Sequence, residues 1–237
     1  MVKLTDGQKN CLNFIKNTDH NIFLSSPAGC GKSFLIQYIY REFKNVVVCA
    51  TTGCASVLLS NEMIKAKTIH SWSSMGFFDK PSSKYIADIE CNLKKKRNWT
   101  NVKILIIDEA SMLNSKMLDY LDEVGRTIRR SNKPFGGIRM LLVGDLFQLP
   151  PVSKGEGLEY FFKSERWEEY DFKLIELTEG VRQKDPIFFR VLNKIRKGNV
   201  DGEVLSTIRE CVGKDLTNEY GIKPTILFST KSEVNEL

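Results

Sequence analysis

A doubly wound α/β fold on a parallel sheet is what this 237-residue sequence predicts. Three observations predict it. Short apolar runs rich in β-branched residues, at 46–50 (VVVCA), 103–107 (KILII) and 140–143 (MLLV), have the length and unbroken hydrophobicity of strands covered on both faces. Stretches with helical periodicity separate these runs, so strand and helix alternate. Residues 21–34 (NIFLSSPAGCGKSF) read as an apolar strand, a Gly-rich turn and the start of a helix, the arrangement that places a ligand at the carboxyl end of a parallel strand.

Taken in order, Thr5–Asp6 are good cap residues, and Cys11, Leu12 and Ile15 follow at helical spacing. After the Gly-rich turn, Phe34, Leu35, Tyr38 and Ile39 form one apolar helix stripe that ends at Arg41–Glu42. VVVCA is the next strand, and ATTGCASVLLS turns into a second helix. KILII and MLLV are two more buried strands with a helix over 113–130 between them, and 172–177 is a further strand candidate. Beyond Thr178, GVRQKDPIFFRVLNKIRKGN reads as a turn and an amphipathic helix, followed by another helix and a late strand at Thr225–Phe228.

Composition narrows the function classes. Hydrophobic residues at 42% and charged residues at 27% describe a globular chain able to bury a full core. No apolar run approaches the roughly 20 residues of a membrane span, and MVKLTDGQKN has no apolar signal core, so no membrane partner is expected. Six cysteines without a CxxC pair predict free thiols in a reducing, intracellular setting, and two histidines argue against a histidine-rich metal site. The net charge of +6 permits a polyanionic partner without requiring one.

Ser26–Ser33 (SPAGCGKS) fits the phosphate loop G-x-x-x-x-G-K-[ST] at every fixed position except the first, where Ser26 stands for Gly. Pro27, Ala28, Gly29, Cys30, Gly31, Lys32, Ser33 and Phe34 are therefore the expected cradle of a nucleoside triphosphate such as ATP. Small residues let backbone amides approach phosphate oxygens, Lys32 neutralises the β- and γ-phosphates, and Ser33 ligates Mg²⁺. KILIIDEAS ends an apolar strand in Asp108–Glu109; Asp108 is expected to hold Mg²⁺, and Glu109 to orient or deprotonate the attacking water. MLLVGDLFQLPPV repeats the device, and Gln148 is its polar side chain best placed to sense a γ-phosphate or the water; a plain turn is the other reading of that stretch.

Two regions interrupt the alternation. Residues 75–103 lie between two sheet strands and carry MGFF, a Pro-Ser-Ser turn and the basic run KKKR. From Lys84 to Lys103 six basic residues face two acidic ones, a net +4 against +6 for the whole chain, so most of the net charge is concentrated there, on a solvated helix face or on a binding surface. The last sixty residues resemble the opening of a second domain that stops early.

Together these stretches resemble the petite-integration-frequency family of DNA helicases, a RecD-like branch of helicase superfamily one. SPAGCGKS resembles that family's first motif, ATTGCASVLL with KTIHSW its paired strand-gripping motifs, and LIIDEASML, VGDLFQLPPV and EGVRQKDPIFFRVLNKIRKGN its second, third and fourth. The resemblance implies a RecA-like P-loop NTPase lobe over 1–74 and 104–180, a small basic wedge-like insertion at 75–103, and an incomplete second RecA-like lobe at 181–237. It implies Gln8 in the adenine-reading segment and Arg182 as an arginine finger. Thr51, Thr52, Gly53, Thr68, His70, Ser71 and Pro150 are the candidates for contact with single-stranded DNA, where short hydroxyls and backbone amides meet phosphate and His70 offers stacking. By residue type alone His70 also fits a satisfied core histidine, and Trp72 fits the core; Phe77 and Phe78 either lead a wedge against duplex or pack the insertion. Two later motifs of the family, a T-x-H-x-x-Q-G segment and one with an A-L-S-R-like run, are absent from these residues, as expected of a motor fragment or a shortened product.

Three readings follow: an ATP-dependent 5′-to-3′ DNA helicase or its motor fragment, DNA-associated and monomeric, acting on single-stranded and forked duplex DNA; a nucleotide-gated DNA-binding module without productive unwinding; and a P-loop small-molecule kinase. GDLFQLPP and RQKD have no role in the third.

Overall fold

Thr5 starts the first helix with a capping box: its hydroxyl oxygen accepts from the Gln8 amide at 3.3 Å, while Gln8 Oε1 accepts from the Thr5 amide at 3.0 Å. In the computed structural model, which describes residues 3–152, 159–182, 185–214 and 225–235, this helix is α1 (Asp6–Asn17). There follow β1 (Asn21–Ser25), α2 (Lys32–Glu42), β2 (Val46–Ala50), α3 (Gly53–Leu59), β3 (Lys67–Thr68), α4 (Ile69–Ser73), α5 (Ser82–Glu90) and α6 (Leu93–Asn101). β4 (Ile104–Asp108), α7 (Ser115–Arg129), β5 (Arg139–Gly144) and β6 (Phe172–Glu176) complete the sheet, whose order is β3-β2-β4-β5-β1-β6 with every pairing parallel.

Alternation along the strands fills two cores. Leu105 and Ile107 of β4 and Met140 and Leu142 of β5 face one side, with Trp72, Tyr85, Ile89, Trp99, Leu118 and Leu121 from α4–α7. Ile104, Ile106, Leu141 and Val143 face the other, where α1 and α2 contribute Leu12, Ile15, Leu35, Ile36 and Ile39. The buried stripe of α2 thus runs through Ile36, while Phe34 and Tyr38 are half-buried. Residues 75–103 fold as two helices that reach into the first core: Trp99 lies 4.9 Å from Trp72, and its indole N–H donates to Ser73 O at 3.2 Å. Asn114 caps α7 by accepting from Met117 N, so that helix begins at Ser115 rather than at Leu113.

The chain divides into two compact units, Met1–Phe189 and Arg190–Leu237, with the division inside α8 (Pro186–Arg196). The second unit holds the rest of α8, α9 (Gly202–Arg209) and α10 (Lys231–Asn235). Asp201 caps α9, Arg190 pairs with Glu203, and Lys194 Nζ meets Asp201 at 2.6 Å and Glu203 at 2.5 Å. The strand expected at Thr225–Phe228 is irregular and exposed. High β propensity makes a strand only where another strand pairs with it, and this unit has none among the described residues.

Candidate active site

The phosphate loop connects β1 to α2 and adopts the conformation its small residues permit. Gly29 and Gly31 have φ of 83° and 80°, in the left-handed region that disfavours a Cβ. Lys32 Nζ donates to the carbonyls of Ser26 at 2.9 Å and Pro27 at 3.0 Å, both on its own loop. Burial holds its ammonium below the ordinary lysine range, against the opposing pull of Asp108, Glu109 and Asp145. Ser33 and Ala28 are exposed, Phe34 is half-buried, and Pro27 and Cys30 are buried.

Three adjacent strands bring the remaining groups to this loop. In the order β4-β5-β1, Ile107 is paired with Leu142, and Gly144 with Ser25. Asp108, Gly144 and the loop therefore emerge side by side at the carboxyl edge, and Ser26 N donates to Gly144 O at 3.1 Å. Asp108 is 6% exposed, and its Oδ1 has no hydrogen-bond partner among the described residues. Burial first, then the charge of Glu109, pushes the Asp108 carboxyl up to about 6. A buried carboxylate oxygen without a donor, across from a phosphate loop, is the donor chemistry a hard divalent cation needs, so Asp108 and Ser33 fit Mg²⁺. Glu109 itself sits at φ 54°, ψ 42°, a left-handed conformation unusual for a side-chain-bearing residue.

Asp145 is a part of this cluster that the sequence reading passed over. It is 1% exposed, its carboxylate accepts from Phe147 N at 3.1 Å and from Gln148 Nε2 at 3.4 Å, and its charge acts on Lys32. The signal that singles out Asp108, a carboxylate at the end of an apolar strand, was present for Asp145 too. Gln148 is exposed, with its amide turned toward Asp145.

Gln8 lies beneath the loop: it is 2% exposed, and Nε2 donates to Cys30 O at 3.5 Å and Gly31 O at 3.3 Å. A Cβ on Gly31 would stand 2.5 Å from that nitrogen, so any other residue there would displace the Gln8 side chain in addition to meeting an unfavourable φ. The amides of Val181 and Arg182 both donate to Gly29 O, at 2.9 and 3.0 Å, which pins this segment to the loop while the Arg182 side chain stays exposed.

Of the strand-gripping candidates, Thr51, Thr52 and Gly53 follow β2, Thr68, His70 and Ser71 lie at β3 and α4, and Pro150 follows β5. Thr51 is buried, and its hydroxyl donates to Glu109 O at 2.9 Å. Thr52 caps α3 by accepting from Ala55 N, and Thr68 caps α4 by accepting from Ser71 N, both at 3.2 Å. Gly53 and Ser71 are exposed and Pro150 is half-buried. His70 is half-buried, edge-on to Phe78 with ring centroids 5.6 Å apart, and burial lowers its pKa, which keeps the imidazole neutral near pH 7. Trp72 and Phe78 belong to the core, whereas Phe77 is 88% exposed.

The family model for PIF1-like helicases matches residues 3–204. The ATP-dependent DNA helicase RRM3 of Saccharomyces cerevisiae is 36% identical over 242 residues, taking in 98% of this chain and 33% of RRM3. The crystal structure of Pif1 helicase from Candida albicans superposes with a TM-score of 0.90 at 34% identity, over 100% of this chain and 53% of that one. Pif1 helicase from Bacteroides, crystallised in complex with ADP-AlF3 and ssDNA, superposes with a TM-score of 0.86 at 29% identity, over 100% of this chain and 56% of that one. The chain thus spans about a third of the length of RRM3 and about half of each Pif1 chain. With a match running through most of its length, it belongs to the PIF1-like helicase family.

Proposed function

We propose that this chain is the nucleotide-hydrolysing motor portion of an ATP-dependent DNA helicase that moves 5′-to-3′ on single-stranded DNA and opens duplex or forked DNA. One observation carries this reading: Lys32, the orphan Oδ1 of Asp108, Glu109 and the Asp145–Gln148 pair converge at the carboxyl ends of three neighbouring parallel strands. The relatives named as ATP-dependent DNA helicases support it, as does the Bacteroides protein seen with ADP-AlF3 and ssDNA.

In this reading Pro27–Phe34 cradle the triphosphate, and Lys32 exchanges its bonds to the Ser26 and Pro27 carbonyls for phosphate oxygens. Mg²⁺, held by Ser33 and Asp108, supplies charge neutralisation on the β- and γ-phosphates when bound. Glu109 orients the attacking water as general base, Gln148 senses the γ-phosphate, and Arg182 stabilises the charge that develops on it. Gln8 supports the loop from below and borders the base of the nucleotide. Thr51, Thr52, Gly53, Thr68, His70, Ser71 and Pro150 hold the strand. Residues 75–103 serve as a wedge-bearing insertion, 1–74 with 104–180 as the first motor lobe, and 181–237 as the beginning of a second. The active species is a monomer, working inside the cell on DNA.

ATP turnover measured with and without single-stranded DNA tests the reading. DNA-stimulated turnover is expected. DNA binding without turnover would make the chain a nucleotide-gated binding module, and phosphoryl transfer to a small molecule independent of DNA would make it a kinase.

A further inference from the structure

β3 pairs with β2 at Cys49 and Ala50, so among the described residues the first half of β2 has no strand beside it on that side. A cavity of about 410 Å³ lies there, away from the carboxyl-end site of Lys32 and Asp108. Its size falls within the roughly 300–1,000 Å³ of small-ligand sites. The open edge of β2 at Val46, Val47 and Val48 forms one wall, Tyr40 an aromatic one, and Asn45, Asn98 and Asn101 add carboxamides. Trp72, Val102 and the exposed Lys65, Lys67 and Arg97 complete the lining.

Charge sets this cavity apart. No carboxylate lines it, and none of its three cations forms an ion pair among the described residues, whereas neighbouring Lys95 is paired with Asp88. A second cavity, of about 450 Å³, is lined by Asp119, Glu123, Glu159 and Glu165 as well as by cations, so its charges compensate internally. A concave surface of one sign concentrates counter-ions, and three uncompensated cations call for an anion from outside the chain.

We infer that this cavity holds one nucleoside-monophosphate unit of a nucleic-acid strand, its base against the valine and tyrosine walls and its phosphates on Lys65, Lys67 and Arg97. Amide groups at Asn98 and Asn101 meet the base edge. A strand is favoured over a free nucleotide because the cavity adjoins the proposed grip: Lys67 directly precedes Thr68, and Trp72 of α4, the helix that carries His70 and Ser71, lines the cavity. The inference deepens the DNA-binding reading and rests on it.

Fluorescence anisotropy with a labelled oligothymidylate tests it. The triple variant Lys65→Gln/Lys67→Gln/Arg97→Gln is expected to bind about tenfold or more weakly at low salt, with a salt slope shallower by up to about 2, since each lost phosphate contact removes about 0.7. Asn101→Trp, which fills the cavity without changing charge, is expected to weaken binding several-fold. Lys116→Gln/Lys133→Gln/Lys163→Gln removes the same charge from residues that do not line the cavity and is expected to have a clearly smaller effect. Unchanged binding by the first two variants, or equal loss from the control, overturns the inference while leaving DNA binding in place. Direct binding of free thymidine monophosphate that the wild-type chain shows and the first two variants lose, with their oligothymidylate binding intact, overturns the strand assignment. A wild-type chain that does not bind the oligonucleotide overturns the DNA reading itself, and the inference with it.

Discussion

Thr51 donates its hydroxyl to the backbone carbonyl of Glu109 at 2.9 Å, and the Thr51 amide donates to Asp108 O at 3.2 Å. The segment expected to grip the strand is therefore bonded directly to the backbone of the carboxylate expected to position water. Glu109 is in a left-handed conformation, so its orientation depends on such tethers. A strand that moves residues 51–53 moves Glu109 with them. Thr51→Val keeps the shape and removes the donor, at a stability cost of about 1 kcal/mol. It is expected to lower ATP turnover without DNA modestly, through the lost tether on Glu109, and to cut the stimulation by single-stranded DNA several-fold beyond that. Thr51→Ser, which keeps the hydroxyl, is expected to retain the stimulation. Equal losses with and without DNA would show that Thr51 only props up Glu109.

Lys32→Ala separates chemistry from folding. Burial disfavours the Lys32 ammonium, and its partners are two loop carbonyls rather than a carboxylate, so removing it takes away little native stability. Turnover is expected to fall by on the order of 10²-fold or more, the scale of losing one preorganised charge-stabilising group. The thermal midpoint of the nucleotide-free protein is expected to hold. A large fall in that midpoint would assign Lys32 a structural role, and an unchanged rate would remove it from the site.

Asp108 couples stability to pH in the nucleotide-free protein. Its folded-state pKa is raised from 3.8 to about 6, chiefly by burial. A raised carboxyl pKa favours the folded state at pH below the unfolded value, and that contribution disappears as pH rises through about 6. At pH 8 the buried, ionised carboxylate therefore costs up to about 3 kcal/mol relative to its protonated form. Asp108→Asn is expected to raise the thermal midpoint at pH 8, to change it little near pH 4, and to abolish Mg²⁺-dependent ATP turnover. Equal midpoints at pH 8 would mean that Asp108 carries no such penalty.

The strands were legible because parallel strands covered on both faces are apolar throughout: VVVCA, KILII and MLLV match β2, β4 and β5 to within a residue or two. The phosphate loop and Asp108–Glu109 were legible because their chemistry fixes residue type and spacing locally. What escaped was set by distant partners. β3 is two residues long and exists through its register with Cys49 and Ala50, which no local pattern announces. Thr225–Phe228 has the propensity of a strand and no partner among the described residues. The resemblance places Gln8 in the adenine-reading segment, but nothing local announces that its side chain is buried against Cys30 and Gly31. Thr51, a strand-contact candidate by type, spends its hydroxyl on Glu109. The run KKKR is less uniform than its letters, because Lys95 is already neutralised by Asp88.

Gly144 shows how close approach, rather than backbone freedom, can demand a glycine. Its φ is not in the left-handed region, but a Cβ there would stand 2.9 Å from Ala110 N and 3.2 Å from Ser111 N. Both neighbours are backbone atoms of the turn after Glu109, so neither can rotate aside. Gly144 O also receives Ser26 N, which ties the phosphate loop to the same point. Gly144→Ala is therefore expected to cost about 1–3 kcal/mol through overpacking. It should also displace Glu109 from the loop, and misplacement of about 1 Å can cost 10²-fold in rate. Gly53→Ala serves as the comparison, because a Cβ there meets nothing within 4 Å at the first turn of α3. That change is expected to leave stability level or raise it by up to about 1 kcal/mol, alanine being the better helix former. Urea midpoints and basal ATP turnover of the two variants check the contrast. If Gly144→Ala folds and turns over like wild type, the strand end and the carboxylate turn are not held together as tightly as their geometry requires.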